Sequence, residues 1–246
     1  MAKDKLIFGT HSVIEALLAG TEIDKIFIKR AARSEELNRI KALAREQNIP
    51  TLSVPVEKLD RMTTKSHQGI VAILSGVEYM PLAEIINMRF EQGELPFVLL
   101  LDGITDVRNF GAIARSAECA GVDAIVIPTH GSVSVTGDAI KASAGALLRI
   151  AVCREPSIAH AIRQLRASGI RIITASEKAN TLYTEEKLEL PLGIVMGAED
   201  VGPSDETLRN SDAIVAIPQV GEIGSLNVSV AAGIILYEVL RQQRNN

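Results

Sequence analysis

The sequence has few aromatic side chains, which make up 3% of its 246 residues, and it contains no tryptophan and two cysteines. Because 47% of the residues are hydrophobic, a large core built from Ile, Val, Leu and Ala is still expected. No apolar run approaches the roughly 20 residues that span a bilayer, and the first ten residues lack a signal-peptide pattern. Cys119 and Cys153 lie in apolar segments without a partner pattern, which predicts two reduced core thiols in a cytoplasmic protein.

Several common cofactor and catalytic motifs are also missing from the sequence. No G-x-G-x-x-G opens a helix and no Walker A motif is present, so a standard dinucleotide cradle and a P-loop are not expected. No G-x-S-x-G nucleophile elbow occurs. The four histidines and two cysteines show no ligand spacing, so no metal site is predicted.

Charge is distributed unevenly along the chain. Residues 1–76 hold 12 Lys and Arg against 9 Asp and Glu, although the whole chain carries a net charge of −4. The segment 25–45 contains seven basic residues and two acidic ones. One interpretation is a solvated helix face, and the other is a patch that contacts the phosphates of a nucleic acid.

The alternation of helix and strand patterns over 1–76 predicts a small α/β unit. A polar and partly helical stretch over 77–96 is expected to be a linker. Ser34 is expected to cap a helix, because Glu35 and Glu36 follow it in the first turn, where the helix dipole favours carboxylates. The other elements predicted in this unit are a helix at Thr10–Ala19 and strands at Lys25–Lys29, Thr51–Val54 and Gly69–Leu74.

Residues 97–246 predict a second α/β domain with a parallel sheet. Its apolar runs are nearly continuous, which is typical of parallel strands buried on both faces. The predicted strands are Val98–Leu101, Ala124–Ile127, Arg171–Ala175, Leu192–Met196 and Ala213–Ile217, and the predicted helices are Asn109–Ala120, Thr136–Leu147 and Ser157–Ser168.

Three strand ends of this predicted sheet are rich in polar residues and glycine, and ligands bind at such ends. Each loop has a purely structural alternative. Helix capping alone would explain Asn109 and Ser225. An ion pair with Glu118, one helical turn later, would explain Arg115. Glu199 is harder to explain in this way, because it follows a buried strand and a glycine. Together the three loops favour a site.

The same three segments resemble the sequence motifs of the SpoU (TrmH-like) family of RNA ribose 2′-O-methyltransferases, in the SPOUT superfamily. The matching segments are Asn109–Arg115, Val195–Glu199, and Ile217-Pro218 followed by Ser225–Ala231. The resemblance covers roughly residue 97 to the C-terminus. Residues 1–76 are similar to the ribosomal-protein-like (L30e-like) substrate-binding domain of many members, with Gly9–His11 and His67–Gly69 as the points of similarity.

The resemblance implies S-adenosylmethionine as methyl donor, a deep trefoil knot in the C-terminal domain and a homodimer. The segment Leu226–Tyr237 independently favours a dimer, because it is apolar on nearly every face. The two-domain layout is most similar to enzymes that modify a guanosine of 23S ribosomal RNA. A transfer-RNA ribose methyltransferase, a non-catalytic RNA-binding protein and another nucleotide-using enzyme are the alternatives.

The resemblance also assigns roles to residues of its motifs, of the basic stretch and of the points of similarity, and Thr174 is added because it lies at the end of a predicted strand. Arg115 is the expected catalytic residue, and a guanidinium would more readily hold a phosphate than act as a base. The expected catalytic and positioning residues are Asn109, Arg115, Glu199, Ser225 and Asn227. The expected cofactor-binding residues are Thr174, Met196, Gly197, Ile217 and Leu226, and the expected RNA-binding residues are Lys29, Arg30, Arg33, His67 and Gln68.

Overall fold

The computed structural model describes residues 6–32 and 34–244. Contacts divide the chain into two compact units. The N-terminal unit comprises the chain up to Glu78 together with Ser134–Asp138, and the C-terminal unit comprises Tyr79–Val133 and the chain from Ala139 onward.

The N-terminal unit contains a four-stranded sheet with helices on both faces. Its strands occur in the order β1-β4-β2-β3, with β2 and β3 parallel and the other pairs antiparallel. Helices α1 and α2 pack on one face, and Leu59 of α3 packs with Phe27 and Val71 on the other. The elements are β1 Leu6–Phe8, α1 Thr10–Leu18, β2 Ile23–Lys29, α2 Glu35–Glu46, β3 Thr51–Val54, α3 Val56–Met62 and β4 Ile70–Leu74.

Helix α2 begins where the sequence predicts it. The Ser34 side chain accepts a hydrogen bond from Leu37 N at 3.2 Å, which satisfies one of the backbone donors left free at a helix start. Leu37, Ile40 and Ala44 are buried at helical spacing, so one stripe of the helix covers the sheet.

In the described part of the C-terminal unit, seven strands form a parallel sheet in the order β7-β6-β5-β10-β8-β11-β9. Helices α4 and α7 pack on one face through Ile85, Ile162 and neighbouring residues. The elements are α4 Leu82–Glu91, β5 Phe97–Asp102, α5 Val107–Cys119, β6 Ala124–Pro128, α6 Gly137–Ala142, β7 Ala151–Glu155, α7 Ile158–Ala167, β8 Arg171–Ala175, β9 Thr181–Leu182, β10 Leu192–Gly197, α8 Asp205–Asn210, β11 Ala213–Ala216 and α9 Val228–Gln243.

Helices α5 and α9 pack against each other, and α9 also contacts β10. On α9, Ile235, Leu236 and Val239 are buried, whereas Val230 and Tyr237 are each 51% exposed. The helix is therefore buried along one side within a single chain, and the opposite side presents apolar side chains to solvent.

Three sequence-based expectations differ from the structure. The helix expected over Thr136–Leu147 ends at Ala142, because Ala144 and Gly145 adopt positive φ angles of 52° and 88° before a short 3₁₀ turn, Ala146–Leu148. The stretch expected to be a linker contains α4, whose Leu82, Ile85 and Ile86 are buried in the C-terminal core. Cys153 is buried, but Cys119 is exposed at the end of α5, so the sequence predicted one core thiol too many.

Candidate active site

The polar loops that follow β5 and β10 are attached to each other at the sheet edge. Strands β5 and β10 are parallel neighbours, and Gly197 of β10 lies opposite Asp102 of β5. One Asp102 carboxylate oxygen accepts hydrogen bonds from Ser204 N at 2.9 Å and from Thr207 Oγ1 at 2.7 Å. The carboxylate thereby holds the end of the β10 loop and the start of α8 beside β5.

The side chain of Asn109 does not cap helix α5. Asp106 takes that role, because its carboxylate accepts hydrogen bonds from Arg108 N at 2.8 Å and Asn109 N at 2.9 Å. The Asn109 side chain, in the first turn of the helix, is left to bind elsewhere. Its Nδ2 donates a hydrogen bond to Oε1 of Glu199 at 2.8 Å.

The third loop joins the same carboxylate through Asn227. Asn227, rather than Ser225, caps α9, because its Oδ1 accepts from Ser229 N at 2.9 Å. Its Nδ2 donates to Glu199 Oε1 at 2.7 Å and to Asn109 Oδ1 at 3.0 Å. Asn109, Glu199 and Asn227 therefore form one hydrogen-bonded cluster, which we call the Asn–Glu–Asn cluster, and its members come from the start of α5, the loop after β10 and the cap of α9.

Gly197 lets the loop after β10 fold back sharply beside this cluster. A Cβ atom at Gly197 would lie 2.1 Å from Pro203 N and 2.3 Å from the carbonyl carbon of Gly202, and both of these are backbone atoms. The turn is closed by Gly202 N, which donates to Ala198 O at 2.9 Å. Any larger residue at 197 would push this loop away from the sheet.

A cleft lies between the loops that follow β8, β10 and β11. It is open to solvent, and about 560 Å³ of unoccupied space, solvent included, lies within its outline. Of the residues expected to bind cofactor, Met196, Gly197, Ile217 and Leu226 line it, together with Glu199 and Ser225 of the expected catalytic set. The cleft joins an apolar wall to the polar cluster.

Thr174, which was also expected at the cofactor, does not line the cleft. Its side chain is buried, and its Oγ1 lies 2.6 Å from Ser211 Oγ, so it serves to attach β8 to the end of α8. The contribution of β8 to the cleft instead comes from Ala175, Ser176 and Glu177, at the end of the strand and just after it. The lining of the cleft thus begins one residue after the residue that the sequence analysis singled out.

Arg115 lies on α5 with an exposed side chain. Within the described residues it makes no hydrogen bond or ion pair, and the alternative pairing with Glu118 does not form. Glu118 instead accepts a weak hydrogen bond from the neighbouring Cys119 thiol. The guanidinium is thus available for an anion that comes from outside the chain.

Two family models match the chain, one in each of its two parts. Residues 96–237 match the model described as the SpoU rRNA Methylase family, and residues 6–80 match the model described as RNA 2′-O ribose methyltransferase substrate binding. The chain belongs to the SpoU methylase family. It is accordingly an RNA 2′-O-methyltransferase by family, and the resemblance noted from the sequence motifs is confirmed.

Relatives of the family cover the chain to different extents. A Staphylococcus saprophyticus protein named as a TrmH family tRNA/rRNA methyltransferase is 37% identical over 97% of this chain and 96% of its own length. The AdoMet-bound rRNA methyltransferase of Sinorhizobium meliloti is 24% identical, with a TM-score of 0.60, and covers 97% of this chain and 87% of its own. The TrmH/SpoU tRNA modifying enzyme of A. aeolicus is 22% identical, with a TM-score of 0.56, and covers 65% of this chain and 85% of its own.

The N-terminal unit, which matches the substrate-binding model of the SpoU family, has a polar groove of its own. Lys29, His67 and Gln68, expected to bind RNA, line it. Arg30 is exposed directly after β2 but is not part of the lining, and Arg33 lies outside the described residues. Thr10, from the Gly9–His11 point of similarity, also lines the groove. The sequence analysis did not single out the rest of the polar lining for RNA binding, although the run Thr63–Ser66 was an available signal; these residues are Ser34, Glu36, Asp60, Thr63, Thr64, Lys65 and Ser66.

The hydrogen bonds of His67 and Gln68 hold the loop before β4 in one conformation. Gly69 N donates to His67 Nδ1 at 3.0 Å, so the other ring nitrogen, Nε2, carries a hydrogen and donates to Asp60 at 2.9 Å. Gln68 has a φ of 49°, and its Oε1 accepts hydrogen bonds from Thr10 N and Oγ1. The side-chain amide nitrogen of Gln68 is left for an external acceptor.

Two further features bear on ligands and membranes. Across residues 6–32 and 34–244, no group of three or more His, Cys, Asp or Glu side chains is arranged to hold a metal ion. In the same part of the chain, none of the helices combines the length and apolar character needed to cross a bilayer.

Proposed function

We propose that this protein transfers a methyl group from S-adenosylmethionine to the ribose 2′-hydroxyl of a guanosine in 23S ribosomal RNA. Membership of the family establishes the general reaction, which is methylation of RNA at the 2′-oxygen. The observation that carries the proposal is the Asn–Glu–Asn cluster, because its Glu199 lines the cleft and its Asn109 lies on the same helix as the exposed Arg115.

The chemistry of the cleft suits S-adenosylmethionine. Met196, Val215, Ile217, Leu226 and Val228 provide an apolar wall against which an adenine ring can stack. Among the described residues that line the cleft, the charged side chains are two carboxylates, Glu177 and Glu199, and none is basic. A sulfonium-bearing ligand with a net positive charge would be matched by such a lining, whereas a phosphorylated nucleotide would be repelled.

The residues of this chain would act mainly by positioning. S-adenosylmethionine supplies an activated methyl group, and the ribose hydroxyl must approach it in line. A guanidinium with a pKa above about 12 is a poor proton acceptor near neutral pH, so Arg115 is assigned to hold the phosphate next to the target ribose with two parallel hydrogen bonds. Holding the reacting groups in this geometry can supply a large part of the rate enhancement.

The Asn–Glu–Asn cluster would keep the three loops in register for that reaction. Because both amide side chains donate to one carboxylate oxygen, a shift of either helix would break a charge-assisted hydrogen bond. Ser225, which lines the cleft two residues before the cap of α9, is assigned to orient the substrate or Arg115.

Ribosomal RNA is favoured over transfer RNA by the domain layout. The structure named as an rRNA methyltransferase covers 97% of this chain, and the one named as a tRNA modifying enzyme covers 65%. The N-terminal unit, with its groove containing Lys29 and Lys65, is the part of the chain proposed to give this RNA preference. A transfer-RNA target is the second candidate, because one architecture can serve more than one RNA substrate.

Four further features belong to the same proposal. The chain would form a homodimer, which is supported by the exposed apolar side of α9 that includes Val230 and Tyr237. The segments around the cleft would form the deep trefoil knot of the superfamily, and the N-terminal unit would have the ribosomal-protein-like (L30e-like) topology. The protein would act in the cytoplasm, where its RNA substrate is assembled.

The target is tested by mapping 2′-O-methyl sites in ribosomal and transfer RNA from a strain that lacks the gene. Loss of one methylated guanosine in 23S RNA, restored by the wild-type gene and not by an Arg115→Ala copy, is the expected result. Loss of a transfer-RNA methylation with unchanged ribosomal RNA would establish the second candidate. Unchanged methylation in both RNAs, together with RNA binding by the purified protein, would favour a non-catalytic RNA-binding protein.

A further inference from the structure

Glu177 lies at the cleft, although no family motif noted in the sequence includes it. It follows β8, whose last residue is Ala175, and its exposed side chain borders the cleft with Ala175 and Ser176. Its carboxylate also approaches the loop after β10, because Oε2 lies 4.0 Å from the position of a Cβ atom built on Gly202. The carboxylate therefore lies between two of the loops that border the cleft.

The two carboxylates of the cleft differ in their partners. Glu199 accepts hydrogen bonds from Asn109, Asn227 and, at 3.5 Å, Val228 N. Glu177 has no hydrogen bond or ion pair with any residue in the described part of the chain. Glu199 is thus committed to holding the loops, whereas both oxygens of Glu177 are available to donors of a ligand.

The strand order indicates which part of the cofactor would meet Glu177. Strand β8 lies between β10, which supplies Met196, and β11, which precedes Ile217. An adenine held by the apolar residues of these two neighbours would lie next to the end of β8. In the proposed reaction the sulfonium would face the Asn–Glu–Asn cluster, and the ribose of the cofactor would connect the adenine with the sulfonium.

We propose that the Glu177 carboxylate binds the adenosine ribose of the cofactor by accepting hydrogen bonds from its 2′- and 3′-hydroxyls. This inference rests on the proposed function. A carboxylate offers two acceptor oxygens at a spacing that suits a vicinal diol, and acidic residues near strand ends bind nucleotide ribose in other parallel α/β sheets. Glu177 would thus be a specificity residue that favours ribonucleosides over deoxyribonucleosides.

The test measures binding by isothermal titration calorimetry with the full-length wild-type protein and the variants Glu177→Ala and Glu177→Gln. The ligands are S-adenosylmethionine, S-adenosylhomocysteine, and the 2′-deoxy and 3′-deoxy forms of S-adenosylhomocysteine. Glu189→Ala is the control, because it removes an exposed carboxylate from the connection between β9 and β10, at a residue that does not line the cleft.

Glu177→Ala is expected to weaken S-adenosylmethionine and S-adenosylhomocysteine equally, by about tenfold, the size typical of hydrogen bonds to a charged group. Removing one hydroxyl should weaken binding severalfold in wild type and much less in Glu177→Ala, because the partner is already absent. Glu177→Gln, which keeps one acceptor oxygen, should give an intermediate loss. Glu189→Ala should bind all four ligands like wild type.

Three results would overturn the inference. Wild-type affinity in Glu177→Ala would show that the carboxylate does not touch the cofactor. A loss confined to S-adenosylmethionine would assign Glu177 to the sulfonium charge instead of the diol. If the deoxy ligands lost the same affinity in wild type and in Glu177→Ala, the carboxylate would not contact the hydroxyls. By contrast, failure of wild type itself to bind S-adenosylmethionine would overturn the proposed function together with this inference.

Discussion

Asn109 and Asn227 lie 118 positions apart in the sequence, and a hydrogen bond of 3.0 Å joins their side chains. Both also donate to the same oxygen of Glu199. The start of α5, the β10 loop and the start of α9 are thereby linked through three side chains. Loosening any one of them should therefore affect all three loops, which is the basis of the first prediction.

Glu199→Ala should destabilise the C-terminal unit more than Glu199→Gln does. Alanine leaves both amide nitrogens without their acceptor, whereas glutamine can turn its carbonyl oxygen toward them. Because the carboxylate is exposed, we expect the alanine variant to lose about 1–2 kcal/mol of unfolding free energy and the glutamine variant about half of that. Urea denaturation measures both values, and equal midpoints for wild type and alanine would contradict the structural role.

Arg115→Ala should abolish methylation of the RNA substrate while leaving the fold and S-adenosylmethionine affinity nearly unchanged. The side chain is exposed and holds no other described residue, so its removal should cost little stability. Arg115→Lys should rescue little activity, because a point charge cannot reproduce the planar fork. Single-turnover methylation with radiolabelled cofactor is the measurement, and Arg209→Ala, an exposed arginine on α8, is the control that should remain active. Normal turnover by Arg115→Ala would refute its assignment.

Cofactor binding and RNA binding should separate when the N-terminal unit is removed, provided that the truncation keeps α4. A protein that starts at Leu95 would lose Leu82, Ile85 and Ile86 from the C-terminal core, whereas one that starts at Tyr79 keeps them. The longer form is expected to bind S-adenosylmethionine like the full chain and to bind RNA at least tenfold more weakly, since the groove with Lys29 and Lys65 is gone. Filter binding at fixed salt compares the two proteins, and undiminished RNA affinity would show that the groove is not the main RNA contact.

The sequence predicted the sheet and the loops better than it predicted individual side chains. Buried parallel strands such as Arg171–Ala175 were placed correctly, because continuous apolar runs leave little alternative. Thr174 was assigned to the cleft because it is polar near a strand end, but a polar strand residue can equally meet a partner inside, as it does at Ser211. Capping of α5 was one interpretation of Asn109, but Asp106 three residues earlier is the cap, and both residue types are good caps.

Long-range partners could not be predicted from spacing at all. Nothing local in the sequence says that Asn109 and Asn227 share an acceptor, since that depends on how β5 and β10 pair and on how α9 packs on α5. The resemblance to family motifs identified these residues as candidates for one site, and the structure showed which of them contact each other. Glu177 lay outside every motif, so its position at the cleft became visible only in the folded chain.

The two thiols should react at very different rates in the folded protein. Burial raises the pKa of the Cys153 thiol to about 12, with a further contribution from the nearby Glu155 carboxylate, so almost none of it is thiolate at pH 8. Cys119 is exposed on α5. Titration with a chromogenic disulfide reagent at pH 8 should therefore show one fast thiol per chain, and the second should appear on unfolding. Cys119→Ser should abolish the fast phase, and a fast phase that survives in this variant would contradict the burial of Cys153.

The homodimer proposed for this chain is best tested on the exposed side of α9. Ile235 is fully buried within one chain, so Ile235→Asp would bury an unpaired charge and disrupt the fold whether or not a dimer exists. Val230 is 51% exposed on the same helix, and an aspartate there would meet water in a monomer but an apolar partner surface in a dimer. Val230→Asp is therefore expected to keep the circular dichroism of the wild-type fold and to sediment as a monomer at micromolar concentration, where the wild-type protein sediments as a dimer.

Asn180→Asp places the same charge on an exposed position of the β8–β9 connection and should remain dimeric. A wild-type protein that sediments as a monomer would refute the dimer, and a dimeric Val230→Asp protein would show that this side of α9 is not its interface.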